Sequence, residues 1–211
     1  MLAAREKVWA RARIAVPAVF TFTTLTLIAT LLHLDRFHFN SPNSIAQAAA
    51  YLWLAIYLIV PIGMLALLAT QLRVPGSDPS RNLPLPTWMV IVLGLQGAVM
   101  VGTGVALFVA PQLVATIWPW KLTPLTGRAI GAWLIGVGIF AVHMAWENEF
   151  SRVRAGMISY TAFAALELLA MGRYPSDLNW GNLGAWLYIL LIVSVMLVGV
   201  CGLTKRVVTR V

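Results

Sequence analysis

Glu167 and Arg128 are ionisable residues set inside long apolar runs, "SYTAFAALELLAMGR" and "LTPLTGRAIGAW". A bare charge in such a place costs about 3 kcal/mol by insertion scales unless it is paired. Each lies about one helical turn from the same end of its run, so an Arg128–Glu167 structural ion pair is the economical expectation for both. His33 closes the first apolar run at this level, with Thr30 a turn below and Asp35, Arg36 and His38 just beyond. Trp118, Trp120 and Lys121 precede Arg128, while Arg173, Tyr174 and Trp180 follow Glu167. The expectation is one polar and aromatic cluster of His33, Arg36, Trp118, Trp120, Lys121, Arg128, Glu167, Arg173 and Trp180.

Three kinds of chemistry compete for that cluster. An Arg–Glu clamp with interface anchors would fix helix rotation and bind nothing. A vestibule for an anionic or amphipathic molecule would use the cations for the head and the indoles for the apolar part. An intramembrane enzyme with Glu167 and His33 as acid and base has no nucleophile or metal to complete it, so no catalytic residue is assigned.

A second constellation, "HMAWENEFSRVR", places His143 and Glu147 four apart on one helical face, followed by Glu149, Arg152 and Arg154. Zinc takes three or four good ligands and this stretch offers one histidine with carboxylates, so a solvated, salt-bridged helix end is expected and no metal site. Haem between two histidines is excluded by depth, since His33 and His143 fall at opposite ends of their runs and His38 lies in a loop. Retinal needs a mid-span lysine, which neither Lys121 nor Lys205 supplies. No nucleotide-binding or hydrolase motif occurs in a usable context. A bound lipid, quinone or pigment leaves no such signature and stays open.

These residues are positioned by elements that the composition defines. Of 211 residues, 60% are hydrophobic and 10% charged, where a soluble domain carries roughly a quarter charged. A surface facing lipid needs few charges, so the class is an integral membrane protein forming a single polytopic domain over 1–211. Six apolar stretches, at about 14–34, 48–72, 86–110, 125–146, 155–171 and 183–204, are long enough to cross roughly 30 Å of hydrocarbon. The fold class is all-α, a six-helix transmembrane bundle. The N-terminal stretch has a positive flank but no small-residue cleavage pattern before a polar mature domain, so it is expected to stay as the first span. Cys201 stands alone in the last run, which excludes an internal disulfide and a thiolate metal site.

Sorting the cations orients the spans. Arg5, Lys7, Arg11, Arg13, Arg73, Arg81, Arg152, Arg154, Lys205, Arg206 and Arg210 fall on one side, and Arg36, Lys121, Arg128 and Arg173 on the other. That bias puts both termini in the cytoplasm. It also accounts for the net charge of +8 without nucleic acid, because the basic residues are spread over short loops. Thr123 before Pro124 fits an N-cap hydroxyl with proline at the first helical position, and Trp118 and Trp120 suit the outer interface.

Glycines at 94, 97, 102 and 104 in the third span and at 127, 131, 136 and 138 in the fourth make these two the expected central pair. Spans one and two also align with spans five and six: Thr24, Leu31, Leu32 and Arg36 meet Thr161, Leu168, Leu169 and Arg173. This is either a parallel internal repeat of helix hairpins, related by an axis along the membrane normal, or the likeness that apolar composition alone produces.

"WPWKLTPLTGRAIGAW", Trp118 to Trp133, with "LDRFHF" near Leu34, resembles a segment of uncharacterised multispanning membrane proteins of bacteria, especially actinobacterial and Chloroflexi-like lineages. The resemblance implies a bacterial inner (plasma) membrane location and carries no activity or catalytic residue. The expected function is therefore a non-enzymatic accessory or structural subunit of a membrane complex or oligomer. The alternative is a binder or carrier of a lipid, quinone or other amphipath through an outer-leaflet site. Expected partners are membrane lipids, with complex subunits or further copies of the chain, and no nucleic acid.

Overall fold

The computed structural model describes residues 9–74 and 78–204. Among these the chain is all helical: α1 (Trp9–Ala12), α2 (Ala15–Leu32), α3 (Ser44–Gln71), α4 (Thr87–Val109), α5 (Pro111–Ala115), α6 (Pro124–Glu147), α7 (Phe150–Arg173) and α8 (Leu183–Thr204). Six of these, α2, α3, α4, α6, α7 and α8, are long and apolar enough to cross a membrane. All six expected spans are thus present as helices. The fifth departs most from expectation, running as α7 over 24 residues where 155–171 was expected. Ser151, Arg152 and Arg154 make its start look like a loop. Glu149 nevertheless caps it, accepting from the Arg152 N–H at 3.0 Å, and the Arg152 guanidinium is matched by Glu147.

The other helix ends have local causes. Thr123 caps α6 in a reciprocal box with Thr126, with Pro124 at the first position, as its sequence predicts. Asn43 caps α3 through Oδ1, which accepts from Ile45 N at 2.9 Å and Ala46 N at 3.3 Å. α6 ends at Asn148, whose φ of 44° and ψ of 46° are left-handed, a conformation asparagine tolerates better than most residues. Its side chain then accepts from the Leu85 N–H at 3.0 Å, tying the turn to the chain entering α4.

α4 and α6 form the central pair and touch backbone to backbone at two places. A methyl group on Gly97 would stand 2.8 Å from the Gly138 carbonyl oxygen, and one on Gly138 would stand 2.8 Å from that of Gly97. Gly104 and Gly131 face each other in the same way, at 2.8 and 2.7 Å. This is small-residue packing as it occurs between membrane helices. The other glycines divide: Gly136 meets α2 at Phe22 and Ala18, Gly127 meets Pro111, and Gly94 and Gly102 have nothing within 4 Å.

α2 packs on the flank of α6, and α3 packs on α2. α7 and α8 form the other hairpin, with α8 joined to α4 by a Gln96 Nε2 to Ser194 Oγ hydrogen bond of 2.9 Å. Of α3's 28 residues only Ala50 and Pro61 are buried. The described ends of the chain lie together: α1 packs on α7, and Gly202 of α8 lies against Met157 of α7. Arg11, Arg13, Arg73, Arg81, Arg152 and Arg154 belong to this termini end, whereas Arg5, Lys7, Lys205, Arg206 and Arg210 lie outside the described residues.

Candidate functional site

At the end of the bundle away from the termini, Trp118 and Trp120 follow the short helix α5. Trp118 is buried and meets Trp120 edge-on at 5.4 Å between ring centroids. Both indoles pack on Tyr188 of α8, at 5.7 and 5.3 Å. The Tyr188 hydroxyl donates to Glu167 Oε2 of α7 at 3.0 Å. Asn179 N donates to the Pro119 carbonyl at 2.8 Å, so the α7–α8 loop is tied to this same segment. Trp120, Lys121 and Glu167 line one open cavity of about 510 Å³, together with Tyr174, Asp177 and Leu178.

The expected Arg128–Glu167 ion pair is not formed. Arg128 Nη1 instead donates to His33 Nε2 at 2.8 Å, joining the N-terminal turn of α6 to the end of α2. The cause is azimuth: α6 presents Arg128 towards α2, while α7 presents Glu167 towards α8. The expected cluster therefore divides. Trp118, Trp120, Lys121 and Glu167 gather on the α7–α8 side, and His33 and Arg128 on the α2–α6 side. No hydrogen bond, ion pair or ring contact among the described residues links the two groups. The remaining three members act locally: Arg36 pairs with Asp35 at 3.0 Å in the open, Arg173 lies 5.8 Å from the Tyr174 ring centroid, and Trp180 Nε1 donates to the Pro175 carbonyl at 2.7 Å.

The termini end holds a site that the sequence showed only in part. Glu147 has no exposed side-chain surface. Arg13 Nε donates to its Oε1 at 2.5 Å and Arg152 Nη1 to its Oε2 at 2.9 Å, with Arg81 Nη2 at 3.8 Å and His143 Nε2 at 3.7 Å. Asp78 adds a second carboxylate, 2.6 Å from Arg13 and 3.5 Å from Arg152. Arg152 Nη2 donates to the Pro79 carbonyl, and Phe150 N donates to Leu83 O at 2.9 Å. The Arg13 guanidinium is held above its ordinary value, chiefly by the Glu147 hydrogen bond and against its own desolvation. The helix end is salt-bridged as expected, but it is not solvated. Arg13 stands 134 residues from Glu147 in the chain, so no local spacing announces it. This arrangement is a clamp among the α1–α2 turn, the 78–85 loop and the α6–α7 turn, with every charged group facing an opposite one.

No family model, no curated protein and no solved structure matches the chain.

Proposed function

We propose that the protein is a non-enzymatic membrane protein that binds an amphipathic molecule at the end of the bundle away from its termini. The observation that carries this is the cavity of about 510 Å³ lined by Trp120, Lys121 and Glu167, a size in the range of small-molecule sites. Its chemistry revises the preference for an anion: the lining holds two carboxylates, Glu167 and Asp177, against one ammonium, Lys121. A head carrying a cation, alone or as part of a zwitterion, answers that balance, and the Trp120 ring offers both an apolar face and attraction for an ammonium. The acid–base pairing of Glu167 with His33 has no geometric support, since each is bonded to a different partner.

Location and orientation belong to the same proposal. The bias of Lys and Arg favours cytoplasmic termini, and with that orientation the cavity belongs to the outer leaflet of a bacterial inner membrane. A second role, as an accessory subunit or oligomer, is favoured by α3, whose nearly unburied length leaves a face for another helix.

Mass spectrometry of gently extracted protein tests the site. A retained amphipath is expected, with its occupancy cut about tenfold by Glu167→Gln, which removes the charge while leaving an oxygen for Tyr188. Protein that carries no small molecule, or a Glu167→Gln variant that retains it fully, overturns the proposal.

A further inference from the structure

A second cavity, of about 300 Å³, opens between α2, α6 and α7 at the other end of the bundle. It lies where α2 and α7 flank α6 without packing on each other along their length. Its walls are mostly apolar, Val19, Phe22 and Phe140 among them, and no acidic side chain among the described residues lines it. Arg11 stands at its mouth, and Arg154 is exposed one residue before the lining Ala155.

The cleft has a definite depth. Three rings cross it at the bottom: Phe22 meets Trp133 at 5.0 Å and Trp133 meets Phe163 at 6.1 Å, bridging α2, α6 and α7. Along α7 its lining runs from Ala155 to Phe163, a rise of about 12 Å at 1.5 Å per residue, most of one half of a hydrocarbon core of roughly 30 Å. The slot thus spans most of one leaflet, is stopped by aromatic rings towards the bilayer middle, and has Arg11 at its interfacial end.

We propose that this cleft holds one acyl chain of an anionic phospholipid drawn from the leaflet on the termini side, with Arg11 meeting its phosphate. A chain of one leaflet's length fills an apolar slot of that depth, and the phosphate then falls at the level of Arg11 and Arg154. The site is independent of the far-end cavity, which differs in leaflet and in the sign of its charge.

Native mass spectrometry of the full chain in mild detergent, titrated with phosphatidylglycerol and with a diacylglycerol of matched chains, neither of which carries a cation for the far-end cavity, provides the test. The wild type retains phosphatidylglycerol about fivefold over the diacylglycerol, the effect of one arginine near an anionic surface. Arg11→Gln brings that ratio to about one. Ser159→Trp, which replaces an exposed lining hydroxyl with a ring that fills the cleft, removes the bound lipid, and Ala155→Leu lowers it. Glu167→Gln, at the far end, leaves all of this unchanged. Equal retention of the two lipids by the wild type overturns the proposal. So does a preference surviving Arg11→Gln, one lipid still bound with both cleft-filling substitutions, or loss of the anionic lipid with Glu167→Gln.

Discussion

Glu147 carries its carboxylate with no exposed surface, between the guanidiniums of Arg13, 134 residues away in the chain, and Arg152, five residues away. A buried charge is costly to desolvate, and what offsets that cost is the short contacts to Arg13 and Arg152. Removing one partner leaves the others unmatched, so Glu147→Ala is expected to destabilise the protein by about 3–5 kcal/mol. Thermal unfolding in detergent measures it, and Arg36→Ala, which breaks only an exposed pair with Asp35, serves as the control that moves the midpoint little. Since the Arg13 value is raised in the fold, its contribution is fully present below the ordinary arginine range and is lost only in strong alkali, as pH rises through the raised value. Residues at this scale were half legible. Arg128 and Glu167 were rightly seen as groups needing partners, because insertion cost depends on depth and depth follows from position along a span. Which partner each finds depends on the rotation of α6 and α7, and two helices of nearly uniform hydrophobicity give the sequence no clear stripe from which to read it.

Helices α4 and α6 are held by the absence of side chains. At Gly104 and Gly131 two of the three nearest heavy atoms are backbone, which cannot swing aside. Gly104→Leu is therefore expected to force the pair apart at a cost of about 1–3 kcal/mol, the usual range for overpacking. Gly102→Ala, two residues away with nothing within 4 Å, should be neutral or stabilising by up to about 1 kcal/mol from helix propensity. Comparing the two midpoints checks this, and equal destabilisation would contradict the seam. The elements were the most legible level of this chain. Each span announces itself by apolar length, and Thr123–Pro124 marks the start of α6 by cap chemistry. The start of α7 was missed because Arg152 looks like loop until Glu147 is placed beside it.

The molecule as a whole is a central pair with one hairpin on each side, and its orientation can be measured directly. In a Cys201→Ser background, Asn40→Cys is expected to react with a membrane-impermeant maleimide in intact cells, and Ser80→Cys only after lysis. The opposite pattern would reverse the bundle and move the Trp120 cavity to the cytoplasmic leaflet. At this scale the sequence gives number and alternation of spans but not adjacency, since every span is apolar enough to lie against any other or against lipid. The glycine contacts between α4 and α6 carry a last consequence. Gly97 with Gly138 and Gly104 with Gly131 are seven residues apart on each helix, so the two main chains touch over about 10 Å of the membrane's depth. That leaves no bore between α4 and α6 for a file of water or an ion. Both cavities accordingly lie on the flanks of this pair, one against α7 and its loop to α8, the other between α2, α6 and α7.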